Sequence, residues 1–378
     1  MRLAEVCAVA EEHAGRTDET ATFPREALAA MRRTGLLGLL VPAEYGGRGG
    51  TLGDLVDATI ELGRADMSVA MVFAMHCQQV EALARFGADR LRRHVLPAVA
   101  EGRIYLGSVT TERGKGGDLL ISESPVQRAP GALVIDRGAP IVTGGRHADA
   151  FLVTVQAPGA ASPGEVDLVY AARDQLRVDV LGDWRPLGMR ATESVPLRLR
   201  GTVPEWQVVG EHGGFRTIAT TVFGPLAHIG WSAAWLGTAA GALSRVVRHI
   251  RSPAGRGRFD PASELLLTRL ATARARLDVV NALLRHAVRA ICSREDVATP
   301  PVQLLVNTLK FEAAEGCLRA VDELVELTGL QHGYLAGSPL RLERAFRDLR
   351  SASLNYSSDR LRLANGVLAL MDSGLHFA

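Results

Sequence analysis

Along the chain the apolar and polar positions change rhythm twice. In FPREALAAMRRTGLLGLL (23–40) apolar residues recur at i, i+3, i+4 and i+7, the spacing of an amphipathic helix, with Pro24 marking its start. VPAEYGGRGG (41–50) follows as a Pro- and Gly-bearing loop. LGDLVDATIELGRA (52–65) and VAMVFAMHCQQVEALARFG (69–87) predict two more helices, the second apolar nearly all round and so expected to be buried. LRRHVLPAVAEGR (91–103) ends this block at Gly102. From about residue 105 short β-branched runs take over: ALVIDRG, FLVTVQ, VDLVYAA, LRVDVL, SVPLRLRG and WQVVG, separated by Gly, Pro and Asp turns. Strands at that spacing predict a small β-barrel or sandwich. After about residue 207 long helical patterns return at 225–251, 264–293, 301–329 and 358–372. Four such helices with short connections predict an antiparallel bundle. The expected fold is therefore mainly α with a central β-domain: an α-helical domain over 1–104, a β-domain over 105–206 and a four-helix bundle over 207–378.

This order is not a βαβ alternation, and no GxGxxG opens a helix after a strand, which argues against a Rossmann dinucleotide site. The 378 residues are long enough for two or three domains. A net charge of +2, from 43 basic and 41 acidic residues, argues against a nucleic-acid partner. No apolar run reaches the length of a membrane span. The mixed-charge start, MRLAEVCAVAEEHAGRTDE, reads as helix rather than signal peptide. Cys7, Cys77, Cys292 and Cys317 are scattered and form no CxxC pair, so neither a metal site nor a disulfide frame is expected. A reducing cytoplasm is the expected setting.

One stretch asks for chemistry. YLGSVTTERGKGGDLL (105–120) runs from a strand-like start into a loop of hydroxyls and glycines. Such a loop presents several hydrogen-bond donors together and lets the backbone approach a bound group closely.

Five stretches, in order, resemble the acyl-CoA dehydrogenase superfamily. TTERGKGGD (110–118) resembles its TEPGAGSD signature, and GLLGLLVPAEYGGRGG (35–50) its first-domain motif. IVTGGRHADAFLVTV (141–155) and WRPLGMRATESVPLRLRG (184–201) are similar to its β-domain motifs. SPLRLERAFRDLRSASLNYSSDRLRLANGVL (338–368) resembles its last-helix signature, in which an RD dipeptide precedes the catalytic stretch. The resemblance implies FAD held between the β-domain and the bundle of a homodimer or homotetramer, the neighbouring subunit reaching its adenosine half. By position, Thr110 and Thr111 match the residues at the flavin pyrimidine edge, and Thr143 the one at N5. Gly116 and Gly117 lie where the backbone approaches the diphosphate, Gly117 standing where the family usually has Ser. Ile141 stands where a Trp usually packs on the flavin. Arg256 and Phe259 keep the RxxF spacing of the cross-subunit contact, after about three extra residues. Ser358 matches the small hydroxyl residue near the cofactor, and in TGLQHGY (328–334) Gly329 and Gly333 stand in for the GGxG turn. A flavin ring needs such donors because reduction builds negative charge at N1 and C2=O.

The resemblance breaks at the base. The family removes a substrate proton with a Glu, but eight residues on from Asp348 stands Tyr356, and the other placing of that Glu falls at about Ala227. Three readings follow. Another residue acts as base, Tyr356 or His228, with Glu193 more distant. Or the chemistry needs no carboxylate, as in the superfamily's monooxygenases and N-oxygenases, which use O₂ with exchangeable reduced FAD or FMN from a reductase partner. Or the chain is an inactive flavin-binding or scaffold partner. The first gives the leading expectation: an FAD-dependent oxidoreductase dehydrogenating an acyl group on CoA or an acyl carrier protein, within a biosynthetic pathway. Plainer roles stand beside these. His228 also fits a satisfied core histidine, and Trp231 fits either core packing with Trp235 or a wall against the substrate. Tyr356 also fits packing. Arg190 fits either a substrate phosphate or carboxylate, or an ion pair with Glu193 or Asp183. His76 and Cys77 are expected in the core.

Overall fold

The computed structural model describes residues 2–114, 118–372 and Gly374. Five helices come first: α1 (Leu3–Thr20), α2 (Arg25–Thr34), α3 (Leu52–Ala65), α4 (Met67–Phe86) and α5 (Asp89–Ala100). The predicted helix after Pro24 stops earlier than its apolar pattern. Thr34 is its last residue because Gly35 takes a left-handed conformation (φ 69°) that ends it, and Leu36–Gly38 form a 3₁₀ turn. The two central helices start on side-chain caps. Thr51 and Asp54 form a reciprocal capping box at α3, and Asp66 accepts the Val69 N–H at α4. As its all-round apolar pattern predicts, α4 is buried over most of its length.

Eight strands follow: β1 (Leu106–Val109), β2 (Gln127–Ala129), β3 (Ala132–Val142), β4 (Ala150–Gln156), β5 (Val166–Ala172), β6 (Leu176–Val180), β7 (Val195–Pro204) and β8 (Val208–Val209). They form two four-stranded sheets, β1-β4-β5-β8 and β2-β3-β7-β6, rather than a closed barrel. In the first sheet β4 and β5 are buried on both faces, which explains their unbroken apolar runs. In the second, β3 alternates, with Leu133, Ile135, Arg137 and Ala139 turned inward. Arg137 is thus a cation at a core position. It donates to the Thr154 carbonyl of β4 (2.9 Å), to the Gly138 carbonyl and to the Thr111 carbonyl (2.9 Å), with Glu112 at 3.7 Å. One side chain so joins both sheets and the hydroxyl-rich loop.

The remaining chain is helical. The short α6 (Phe215–Ile218) passes through a π-helical turn (Ala219–Phe223) into α7 (Gly224–Arg251). Then come α8 (Pro253–Arg256), α9 (Glu264–Cys292), α10 (Pro300–Gly329), α11 (Leu342–Arg350) and α12 (Ser358–Met371). The pattern did not separate α11 from the segment before α12. The centre of the molecule is α7, which packs on α3, α4, α9, α10 and α11. It meets α3 closely: a Cβ on Gly237 would stand 2.2 Å from the Ile60 carbonyl oxygen. The core is nearly continuous from the first helices through both sheets into the bundle.

Between β-sheets and bundle the chain makes a specific lock. Asp348 of α11 accepts the backbone N–H of Met189 at 2.6 Å, and Met189 holds a left-handed φ of 54°. A Cβ on the neighbouring Gly188 would stand 2.1 Å from the Arg347 carbonyl oxygen, so only glycine fits there. Burial pushes the Asp348 carboxyl up to about 7, with the Met189 N–H opposing and Asp66 adding to the rise.

Two outcomes follow. Arg137→Met removes the cation from its buried carbonyls and from beside Glu112, and is expected to cost about 3–5 kcal/mol in urea unfolding. Asp348→Asn keeps an acceptor for Met189 without an ionisable group. The unfolded carboxyl ionises from 3.8 and the folded one only near 7, so the parent loses stability as pH rises through that interval. The stability of the Asn variant relative to the parent should therefore rise between pH 4 and pH 7 and level off above, as read from unfolding midpoints at each pH.

Candidate active site

Two hollows are prominent. One, of about 470 Å³ between α3, α7 and α9, is lined by charges that pair with one another: Asp57 with Arg285 at 2.6 Å, Arg274 with Asp278 at 2.8 Å, and Glu61 with Arg64 at 3.2 Å. The other, of about 1110 Å³, lies where all three parts of the chain meet.

One wall of this larger cavity comes from the β-region. β1 carries Ser108 and leads directly to Thr110 and Thr111, while the end of β3 supplies Ile141 and Thr143. The path of β1 is fixed by His76 of α4, whose Nδ1 accepts the Leu106 N–H at 3.1 Å while its Nε2 donates to the Leu37 carbonyl at 3.0 Å. Burial pulls that imidazole down to about 4, so it is the satisfied, neutral core histidine the sequence led us to expect. Thr111 donates to the Ile141 carbonyl at 2.8 Å. Thr143 joins a chain of hydroxyls through Ser194 (3.1 Å) and Thr192 (2.8 Å) to the Met189 carbonyl (2.9 Å). Ile141 is 46% exposed, a large apolar side chain left open at this wall.

The opposite side is helical. Met71, Met75 and Gln78 come from α4, and Ala219, Thr220 and Phe223 from the π-helical turn, where Gln78 donates to the Phe223 carbonyl at 2.6 Å. Ala227, His228 and Trp231 line it from α7, and Gln303 and Asn307 from α10. The segment joining α11 to α12 closes it with Ser351, Leu354, Asn355 and Tyr356, and Arg347, Arg350 and Arg360 add cationic side chains. Of these, Arg347 is engaged by Asp18 (2.6 Å) and Glu343 (2.9 Å) rather than by its neighbour Asp348.

Among the described residues, no Asp or Glu lines the cavity. Two of its titratable side chains, His228 and Tyr356, are shifted toward their neutral forms. Burial, with Lys310 adding, pulls the His228 imidazole down to about 3. Its hydrogen bond to the Val306 backbone works against that shift, and its Nδ1 has no hydrogen-bond partner. At neutral pH it offers a lone pair but is a very weak base. Burial raises the Tyr356 phenol above its ordinary value, with Asp118 adding and Arg360 opposing, so it is a neutral donor. Tyr356 and Trp231 each lie 6.0 Å from the His228 ring, centroid to centroid, and the Trp231 indole N–H is also buried without a partner.

The cavity therefore brings Thr110, Thr111, Thr143, His228, Trp231 and Tyr356 together. Ser358 is buried beside it, 3.3 Å from Lys310 Nζ. The other residues singled out in the sequence stand elsewhere. Arg190 donates to the Asp18 and Glu19 carbonyls at 2.7 and 3.0 Å and does not line the cavity. Glu193 is held by His147 (2.8 Å), Arg146 (3.0 Å) and the Phe23 N–H (3.3 Å). Burial alone would raise its carboxyl, but these contacts keep it below its ordinary value. Arg256, Phe259 and Gly329 lie off the cavity, with Phe259 packed edge-on against His249 and Gly329 ending α10 at φ 66°. Gly116 and Gly117 lie outside the described residues. Arg137, Lys310, Gln78 and the π-helical turn escaped the sequence reading.

The residues present fit a flavin. One wall carries three Thr hydroxyls and an open apolar face. The other carries buried His and Trp nitrogens with hydrogen-bonding capacity unspent.

Comparison with known proteins places this geometry. Residues 4–103 match the acyl-CoA dehydrogenase N-terminal domain and residues 213–355 the acyl-CoA dehydrogenase C-terminal domain. A probable acyl-CoA dehydrogenase, FadE25, of Mycobacterium bovis is 25% identical over 354 residues, covering 93% of this chain and 88% of that protein. A dibenzothiophene monooxygenase of Rhodococcus qingshengii is 25% identical over 365 residues, covering 90% of this chain and 84% of its own length. Among solved structures, FMN-bound TdsC from a Paenibacillus species superposes with a TM-score of 0.87 at 22% identity, over 99% of this chain and 97% of that one. The three-part fold, the cavity at its centre and both matched domains agree: the chain belongs to the acyl-CoA dehydrogenase superfamily.

Proposed function

We propose that the chain is a flavin-dependent oxidoreductase whose cavity transfers oxygen to a largely apolar substrate. The observation that carries this reading is the absence of any carboxylate among the described lining residues, together with His228 and Tyr356 both shifted toward neutrality. A base whose conjugate acid has a pKa of about 3 does not abstract a carbon-bound proton at neutral pH, and a phenol with a raised pKa does so no better. FAD or FMN is the cofactor, and when bound it supplies two-electron redox chemistry and, once reduced, activation of O₂. Thr110, Thr111 and Thr143 would hold the ring by hydrogen bonds. Met71, Met75, Phe223, Trp184 and Trp231 make much of the remaining surface apolar and polarisable, which suits an aromatic or sulfur-bearing body. Tyr356 donates a hydrogen bond to the reacting group and His228 accepts one. The similarity to a dibenzothiophene monooxygenase supports this choice of substrate class.

Dehydrogenation of an acyl thioester is the second reading. It is favoured by the position of Tyr356, which lines the cavity at the place in the chain where the family carries its Glu. A homodimer and a separate reductase or electron-transfer partner belong to either reading.

Reduced, flavin-loaded protein mixed with ¹⁸O₂ and a panel of sulfur and nitrogen heteroaromatics should give a product carrying the label. Conversion of acyl-CoAs to enoyl-CoAs by the protein loaded with oxidised flavin, which takes up the two electrons, would replace this reading with the second. The size of the Tyr356→Phe effect separates the roles. Loss of a hydrogen-bond donor lowers kcat/KM about five- to tenfold, whereas loss of a general base lowers it about a hundredfold or more.

A further inference from the structure

Of 43 basic residues only two, Lys115 and Lys310, are lysines. Wherever else the chain needs a cation it uses arginine. Lys310 is also one of the largest fully buried side chains of the molecule. It projects from α10 and donates to the Tyr356 carbonyl at 2.6 Å and to the Ser358 hydroxyl at 3.3 Å. The face of Trp235 lies 5.7 Å from its ammonium. Among the described residues no carboxylate stands within ion-pair distance of it. Burial, with Arg362 adding, pulls its pKa down to about 8, which leaves it largely charged at neutral pH. The charge is thus spent on one backbone carbonyl and one hydroxyl.

That carbonyl belongs to a strained residue. Tyr356 has φ 52°, the left-handed region that a bulky side chain enters only when its surroundings hold it there. A charge-assisted hydrogen bond to its carbonyl is such a hold. The same ammonium anchors Ser358, the first residue of α12, and Asn365 fastens that helix further along, to Asn307 at 2.9 Å and Thr308 at 3.0 Å. An arginine would bring five donors to a place with two acceptors, and a planar head where a compact one fits.

We propose that Lys310 is a positioning residue: its buried ammonium pins the left-handed turn at Tyr356 and thereby sets where the Tyr356 hydroxyl stands in the cavity. Lys310 acts through this turn and touches no reactant. The proposal rests on the cavity being the reaction site, but not on which reaction occurs there.

The test needs neither substrate nor turnover, so its failure is separate from failure of the proposed function. Protein grown with 3-fluorotyrosine gives five ¹⁹F resonances, for Tyr45, Tyr105, Tyr170, Tyr334 and Tyr356, and Tyr356→Phe assigns the fifth by its disappearance. Lys310→Met and Lys310→Arg should move or broaden the Tyr356 resonance and leave the other four in place. Glycine enters the left-handed region without strain, so Lys310→Met should also lower Tm less in a Tyr356→Gly background than in the parent. If Lys310→Met does not fold, Lys310→Gln gives the same resonance reading with a smaller expected shift. An unmoved Tyr356 resonance, or equal Tm losses in both backgrounds, overturns the proposal.

Discussion

The burial of α7 is the constraint on which the rest of the molecule is arranged. A helix of 28 residues with most of its surface covered must be packed from every side, and α3, α4, α9, α10 and α11 supply that packing. Contact with α3 is close enough that Gly237 leaves no room for a side chain. Because α7 is held so rigidly, the residues of its first turns are held too. Ala227, His228 and Trp231 enter the cavity from the best-supported element in the fold, which fixes where they stand.

Three buried ionisable groups, on β3, α11 and α10, meet the cost of burial in different ways. Arg137 surrounds its guanidinium with carbonyls from both sheets and lies near Glu112. Asp348 moves toward its neutral form while still accepting a backbone N–H. Lys310 keeps most of its charge and directs it at one strained turn. Isolated charges in a core are expensive, and each of these is spent on fixing a loop that borders the cavity. The hydroxyl chain from Thr143 to Met189 does the same with neutral groups. The cavity's polar edges are thereby pre-set, while its interior stays largely apolar.

The sequence was legible where periodicity or a motif carried the signal. The change from helical to alternating rhythm and back marked the elements, and the hydroxyl-and-glycine loop pointed to the wall that Thr110 and Thr111 now form. Counting from Asp348 to Tyr356 led to a residue that lines the cavity. What remained hidden depends on contacts between residues far apart in the chain. Nothing local shows that Arg137 faces inward to Thr154, or that Lys310 reaches Tyr356. The helix after Pro24 read too long because a single left-handed glycine outweighs the apolar residues beyond it. Arg190 stayed open between a ligand and an ion pair with Glu193 or Asp183 because the Asp18 and Glu19 carbonyls that hold it lie on α1, far away in the chain.

The π-helical turn at Ala219–Phe223 has a structural price and a geometric return. It holds one residue more than an α-helical turn would, so everything after it is rotated by about 100° relative to an uninterrupted helix. That offset separates two demands on one continuous helical run. Phe215 and Ile218 can face the sheets while His228 and Trp231 face the cavity. Deleting one residue here would return the run to a plain α-helix and turn Phe215 and Ile218 by about 100° relative to His228 and Trp231. One continuous helical run thereby serves the sheet side and the cavity side at once.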